Sequence, residues 1–363
     1  MKNPGVTWQT LDWAALDRLR ELFLAGSGAG ADYWTSPADL ANYEFTYAQR
    51  IGWKWDAVLR ELALRGWTPP PDRPLIDWGC GSGMAGRRML EFFGKDSFVA
   101  LRVCDRSTLA MEFAADTARQ AFPGLRVEVS ERTGPEAGAT AIPLGDVATA
   151  EAVAPAAPGI LVISHVLNEL NEAGGRALRE SLDRADAVLW VEPGTHADSR
   201  ALIAMREALR EQFVVVAPCT HQAGCGLRAA ENERHWCHHF APPPPGLQAD
   251  GDWVRFAQRA GIDLRSVPYS FLVLERRGLR ARVPGVLPDG WSRILGGTRI
   301  YKGYAKVLGC QADGVRDRML QKRDAPELFK ALKAGRADPL HRWDGDGERI
   351  VNSEPFIRKD GHE

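Results

Sequence analysis

Apolar residues recur three and four apart over residues 11–24 and 37–66, which predicts two amphipathic helices at the front of the chain. From Pro71 the period changes. Short apolar runs at 74–78, 97–103, 159–164, 187–192 and 213–217 alternate with amphipathic segments at 84–93, 107–121, 172–184 and 197–212. That alternation builds a parallel sheet covered by helices. Two later apolar runs, 268–275 and 300–309, are joined by a Gly/Pro-rich connection and predict an antiparallel pair closing one edge of the sheet. After Gln311 the pattern predicts one helix followed by polar, irregular, partly disordered chain. Pro242–Pro245 reads as a stiff loop, and no internal repeat is present. The predicted organisation is a helical N-terminal extension (1–70), an α/β core (71–215), a cysteine-rich insertion with closing strands (216–310), and a C-terminal helix with a polar tail (311–363).

Composition adds scale and setting. The 363 residues are 45% hydrophobic and 26% charged, enough to bury one large core with appendages, or two. The first residues, MKNPGVTWQTLDWAALDRLRELF, lack the apolar core of a signal peptide and hold too many acids for a transit peptide. No apolar run is long enough to span a membrane, so a soluble cytoplasmic protein is expected. The net charge of −1 gives no bulk attraction to nucleic acid. Charge is uneven, however: residues 263–310 carry nine basic side chains, among them Arg276, Arg277, Arg280 and Arg293, against three acids. That stretch is either a phosphate-facing surface or a solvated face of strands and turns. The aromatic residues Tyr43, Phe45, Tyr47, Trp53 and Trp55 point to packing more than to base stacking.

The sharpest local pattern is Asp77-Trp-Gly79-Cys-Gly81-Ser-Gly83, a strand running into a tight turn and a helix. Glycines serve where the backbone takes positive φ or approaches a ligand, and the helix N-terminus offers free N–H groups. This predicts a Rossmann-like cofactor cradle. Gly81-x-Gly83-x-x-Gly86 also fits a dinucleotide fingerprint, and Asp105 could hold the ribose of either cofactor. Asp77 favours S-adenosylmethionine, because a carboxylate there attracts a sulfonium and an amino group but repels a pyrophosphate. After the run 159–163, His165, Asn168 and Glu169 lie at the carboxyl edge of the sheet and are candidate pocket residues. No catalytic residue emerges: the Asn/Asp-Pro-Pro-aromatic run of base-amino methyltransferases is replaced by His165-Val-Leu-Asn168, and no nucleophilic cysteine stands there.

Cys80 and Cys104 flank the glycine loop and read as small buried hydrophobes. The other four, Cys219, Cys225, Cys237 and Cys310, fall in the last 150 residues, the first three as C-x5-C-x11-C. Four thiolates suit tetrahedral zinc or an iron–sulfur cluster. His221, His238 and His239 keep a three-cysteine, one-histidine zinc site open, as does the alternative of unrelated buried thiols.

Taken together, the D-x-G-x-G-x-G loop at 77–83, H-x-x-N-E at 165–169, V-E-P-G-T at 191–195, A-P-C-x-H…C…W-C-H at 217–238 and K-G-x6-C at 302–310 resemble one family. It is the family of methyltransferase-like small-ribosomal-subunit assembly factors, mitochondrial methyltransferase-like protein 17 and its bacterial relatives, with coverage from about residue 35 to 325. The resemblance implies a class I S-adenosylmethionine-dependent methyltransferase fold and a [4Fe–4S] cluster on Cys219, Cys225, Cys237 and Cys310. It also implies action on small-subunit ribosomal RNA or the pre-ribosomal small subunit. Neither membrane nor DNA is expected as a partner. Gly226-Leu-Arg after Cys225 and the additional His239 before Phe240 depart from the family pattern.

Overall fold

The computed structural model describes residues 5–24, 33–130 and 158–357. In chain order the elements are α1 (Trp13–Leu24), α2 (Pro37–Phe45), α3 (Tyr47–Arg65), β1 (Leu75–Trp78), α4 (Met84–Phe93), β2 (Leu101–Cys104), α5 (Thr108–Ala121) and β3 (Val127–Val129). Then come β4 (Ile160–Ser164), α6 (Glu172–Arg184), β5 (Ala187–Pro193), α7 (His196–Leu209), β6 (Phe213–Ala217), β7 (His239–Ala241) and α8 (Gly251–Ala260). The last are β8 (Val267–Arg276), β9 (Trp291–Ile300), β10 (Tyr304–Gln311), β11 (Gly314–Gln321), α9 (Pro326–Lys333), β12 (Leu340–Asp346) and β13 (Arg349–Pro355). They form two compact units, one of Met1–Asp56, Pro69–Trp190 and Pro242–Val267, the other of Ala57–Thr68, Val191–Ala241 and Pro268–Glu363.

The first unit is built on a sheet of order β3-β2-β1-β4-β5. β1 lies parallel to both β2 and β4, with Leu75 opposite Leu101 on one side and Ile160 on the other, and β2 is parallel to β3. Ile160 to Ile163 and Ala187 to Trp190 are all within 1% of full burial, as strands covered on both faces must be. Their unbroken apolar character made these strands legible in the sequence. The arrangement is the Rossmann-like one that the glycine loop predicts.

The predicted helix 37–66 is two helices. α2 begins with a capping box between Ser36 and Asp39 and with Pro37 in its first turn. It ends at Thr46, whose backbone leaves the helical region (φ −123°, ψ −84°) and whose hydroxyl donates to the Asn42 carbonyl at 2.8 Å. A side chain that satisfies the preceding carbonyl in this way lets the helix stop without a proline or glycine. The aromatic residues nearby pack rather than project. Leu19, Trp34 and Leu40 bury against Ala110 and Phe113 of α5, and Trp8, Phe45, Tyr47 and Trp253 surround Phe256 of α8.

In the second unit β8 pairs antiparallel with β6, Phe213 opposite Arg276, and β7 also pairs with β8. The remaining strands close a five-stranded barrel of order β10-β11-β13-β12-β9. All its pairs are antiparallel except β11 with β13. Ile294, Ala305, Val307, Leu320 and Ile350 fill it, together with Leu328, Phe329 and Leu332 of α9. Two expectations therefore fail. The run 300–309 does not pair with 268–275, because Ala305 and Val307 find their burial inside this barrel. The described residues after Gln311 hold the predicted helix, α9, but the chain around it is not irregular, because β11, β12 and β13 need only one apolar face each to line the barrel.

Candidate functional site

In the first unit the loop after β1 turns through three left-handed glycines, Gly79 (φ 69°), Gly81 (φ 51°) and Gly83 (φ 78°). The amides of Gly79 and Cys80 donate to the Cys104 carbonyl at 2.8 and 3.0 Å. The Gly81 amide donates to Asp105 Oδ2 at 2.9 Å, while Asp105 Oδ1 accepts from the Ser107 amide at 3.0 Å. Asp105 thus ties the loop to Ser107, the residue that caps α5, with one carboxylate.

Asp77 lies beneath the loop, 1% exposed, and Oδ2 accepts from the Gly86 amide at 2.9 Å. A Cβ on Gly86 would sit 2.7 Å from that oxygen, so glycine is what lets α4 come so close. Asp77 Oδ1 is buried without a partner among the described residues. Burial pushes the carboxyl up to about 7, against the opposing pull of the Gly86 amide and Arg87. An orphaned, proton-hungry carboxylate under a glycine cradle fits a cationic ligand above it.

At the end of β4, His165 adopts φ 57°, rare for a residue with a Cβ. Its Nε2 stands 2.8 Å from Lys54 Nζ and its Nδ1 3.1 Å from Ser164 Oγ, which also accepts from Trp55 Nε1 at 3.1 Å. Burial, reinforced by Lys54 and Arg50, holds the imidazole well below its ordinary pKa, so it is neutral at pH 7. Glu169 accepts from the Tyr33 hydroxyl at 3.2 Å, and burial raises its pKa. The Arg106 guanidinium stands 4.9 Å from the Tyr33 ring centre. Burial first, then the charges of Glu169 and Asp105, push the Tyr33 hydroxyl well above its usual range, so Tyr33, Glu169 and Asp105 share one neighbourhood. Asn168 lies exposed in the short turn Leu167–Glu169. Tyr33, Lys54 and Arg106 escape sequence reasoning, because only packing of the N-terminal helices brings the first two to the loop.

In the second unit a buried ionic knot holds the segment between β6 and Cys219. Arg65, in the last turn of α3, donates to the carbonyls of Val216, Pro218 and Cys219 at 2.7, 2.9 and 3.1 Å. Arg293 of β9 donates to the Pro218 carbonyl at 2.7 Å, and Glu61 bridges the two guanidinium groups. Burial alone would raise the Glu61 pKa, but Arg293 and Arg65 outweigh it and keep the carboxyl ionised.

Around this knot the four C-terminal cysteines, none in a disulfide, come together. Burial raises the Cys237 thiol well above its ordinary pKa, and the charges of Cys219, Cys225 and Cys310 raise it further. Cys225 is pushed up to about 11, by burial and then Cys219, and Cys310 is raised by burial, Cys219 and Cys225. His221 Nε2 and His239 Nε2 each lie 3.7 Å from a cysteine sulfur, Cys310 and Cys237 respectively. His238 instead stacks on Trp236 at 4.5 Å. Among the described residues no three Cys, His, Asp or Glu side chains form a group able to hold a single metal ion. Cys80 and Cys104, each 7% exposed, are the small buried residues their positions predict.

The basic stretch 263–310 is not one surface. Arg280 pairs with Glu275 and donates to the Thr68 carbonyl, Arg277 donates to the Arg210 carbonyl, and Arg276 stands 4.6 Å from the Phe213 ring centre. Arg293 is buried in the knot.

The sequence profile of mitochondrial small ribosomal subunit Rsm22 matches residues 97–341, about two thirds of the chain. The chain belongs to the Rsm22 family. Among solved structures it is similar to the plantazolicin methyltransferase BpumL in complex with SAH, at 12% identity and TM-score 0.38, over 73% of this chain and 100% of that one. It is also similar to magnesium protoporphyrin IX methyltransferase from Synechocystis with bound SAH, at 11% identity and TM-score 0.35, over 74% and 96%. A third similar structure is the 23S rRNA methyltransferase ErmE, at 14% identity and TM-score 0.30, over 64% and 70%. These likenesses are remote. No curated protein matches the chain. The Rsm22 match contains Asp105, His165, Glu169 and all four clustered cysteines, while the Asp77–Gly83 loop lies just before it.

Proposed function

We propose that this Rsm22-family chain is a methyltransferase-like assembly factor directed at the RNA of the small ribosomal subunit. It binds S-adenosylmethionine at the loop Gly79–Gly83 and carries a structural [4Fe–4S] cluster on Cys219, Cys225, Cys237 and Cys310 of a cysteine-rich insertion. The observation that carries the reading is the meeting of four free thiols from separate stretches of a family-matched chain in one neighbourhood.

Four thiols suit a [4Fe–4S] cluster or tetrahedral zinc. Each of the four lies in the field of the others. Buried thiolates also need cations nearby. Arg206 and Arg293, 3% and 2% exposed, stand in the fields of Cys219 and Cys237. A cluster there would tie the chain after β6, the 225–237 segment and β10 together, beside the small core of Ile203, Leu227, Leu295 and Val315.

At the first site, bound S-adenosylmethionine would supply an electrophilic methyl group. Asp77 places negative potential under the cradle, Asp105 offers its carboxylate at the edge of the loop, and Tyr33 with Glu169 lines the adjoining wall. His165, with Nε2 against Lys54 and Nδ1 against Ser164, is held neutral and weakly basic, so it shapes the pocket wall rather than serving as a general base. One observation favours a second reading, a non-catalytic RNA-binding factor: Ser164-His165-Val166-Leu167-Asn168 after β4 presents neither a thiol nucleophile nor an Asn-Pro-Pro run.

Anaerobic purification with iron, sulfide and zinc analysis tests the cluster, and stoichiometric zinc without iron would sink it. Calorimetry with S-adenosylmethionine and co-sedimentation with small subunits test the rest. Subunit association without cofactor binding would select the second reading.

A further inference from the structure

The C-terminal barrel has a strand order with consequences of its own. Numbered within the barrel, β9 to β13 run 1-2-3-5-4 and close on 1, the third and fifth strands are parallel, and α9 lies between the third and fourth. This is the layout of the five-stranded barrels that bind oligonucleotides or oligosaccharides on the face of strands 2 and 3 and on the loop joining 1 to 2. Fold alone does not assign a ligand. The side chains at that place do.

The β9–β10 hairpin reads Arg299-Ile-Tyr301-Lys302-Gly-Tyr304-Ala-Lys306, three cations and no acid in eight residues. Tyr301 and Tyr304 stack face to face, ring centres 4.4 Å apart and planes 9° apart. Tyr301 is 42% exposed, and Ile300 beside it is 37% exposed. Lys322, at the exit of β11, donates its amide to the Gly303 carbonyl at 3.0 Å, which adds a further cation at the hairpin tip. Lys306 pairs with Arg299 on β9 and Met319 on β11, so these side chains share one outer face of the barrel. The nearby Asp317 is occupied by Arg299. An exposed aromatic stack ringed by lysines suits a flexible polyanion with π-faces: bases stack on the rings while the ammonium groups follow the phosphates. A neutral oligosaccharide would not use the charge, and a rigid duplex would not reach the rings.

We infer that the β9–β10–β11 face of the barrel, centred on the Tyr301/Tyr304 stack with Lys302, Lys306 and Lys322, is a docking platform for single-stranded RNA. The inference rests on the RNA-directed reading above for the choice of RNA among single-stranded nucleic acids, and it names the surface that reading lacks.

The test uses the full chain with its cluster, a fluorescein-labelled 16-nucleotide single-stranded RNA and fluorescence anisotropy. Joint replacement Tyr301→Ala and Tyr304→Ala weakens binding by at least about tenfold. Tyr301→Phe with Tyr304→Phe, which keeps the stack, binds like the parent. Lys302→Gln with Lys306→Gln lowers the slope of log K against log salt by about 0.7 for each phosphate that the variant no longer neutralises. An alanine pair that melts like the parent and binds equally well overturns the inference, as does a 16-base-pair RNA duplex bound as tightly as the single strand. Should the alanine pair fail to fold, an unchanged salt slope in the lysine pair overturns it instead. Co-sedimentation with small subunits, run in parallel, separates the two readings. Tyrosine-dependent RNA binding without subunit association retains the platform and defeats the assembly-factor reading, whereas subunit association with tyrosine-independent RNA binding does the reverse.

Discussion

Replacing Glu61 by alanine removes the carboxylate from between two guanidinium groups that have almost no access to water. The side chains of Arg65 and Arg293 are 0% and 2% exposed, and Glu61 itself is 8% exposed. Arg65 keeps its three carbonyl partners and Arg293 keeps Pro218, so what disappears is the balancing charge, not the whole hydrogen-bond network. Removing one partner of a buried ion pair costs about 3–5 kcal/mol, because the charge left behind is neither hydrated nor balanced. For a unit of about 160 residues, each kcal/mol shifts the melting temperature by about 2–4 °C, which gives a fall of about 10 °C. Differential scanning fluorimetry of the full chain at pH 7 measures it. Because both arginines also hold the chain at Cys219, iron content should fall with stability. Replacing Arg293 by methionine in the Glu61→Ala background, which leaves only Arg65 unbalanced, should restore part of the loss, since contacting residues couple. A Glu61→Ala protein that melts within 2 °C of the parent, a shift of less than about 1 kcal/mol on the same scale, would refute the view that this carboxylate balances two buried charges.

Three further outcomes follow from the two sites. Cys310→Ser should reduce bound iron to less than half of the parent's in anaerobically purified protein; unchanged iron and sulfide would remove Cys310 from the ligand set. Gly83→Ala places a side chain at φ 78° and 2.8 Å from the Ala114 Cβ, so S-adenosylmethionine binding should weaken by about tenfold or more by calorimetry; an unchanged affinity would separate the loop from the cofactor. Asp77 has a folded pKa of about 7 against an ordinary 3.8, so the native state holds its proton where the unfolded chain has lost it. Its contribution is fully present below pH 4 and is lost as pH rises towards 7 and beyond, so Asp77→Asn should become progressively more stable relative to the cofactor-free parent between pH 5 and 8. A stability difference that does not change with pH would show that Asp77 is ionised in both states.

What the sequence determined by itself was the part of the protein whose physics is local. Ile160–Ile163 of β4, Ala187–Val191 of β5 and Phe213–Ala217 of β6 are almost wholly buried apolar runs, so their character is continuous and needs no knowledge of neighbours. The loop Gly79–Gly83 is legible because only glycine takes three left-handed turns so closely spaced. The cysteines too could be named as a group, since thiols are few and their chemistry is distinctive. Tertiary structure decided everything that depends on closure or on long-range charge balance. β12 and β13, LHRWDGD and RIVNSEP, bury one face each and read as irregular chain until a barrel supplies the other side. The charges of residues 263–310 left a phosphate-facing surface and a solvated face equally open, and Glu61 and Glu275 claim Arg293 and Arg280. What remains for a polyanion is the β9–β10 hairpin beside Lys322, which packing of the chain, not its order, brings together. Tyr33 and Lys54 likewise meet Glu169 and His165 only because N-terminal helices fold back to the end of β4. Burial patterns are written along the chain, whereas the pairing of charges and the closing of barrels are settled between residues far apart in it.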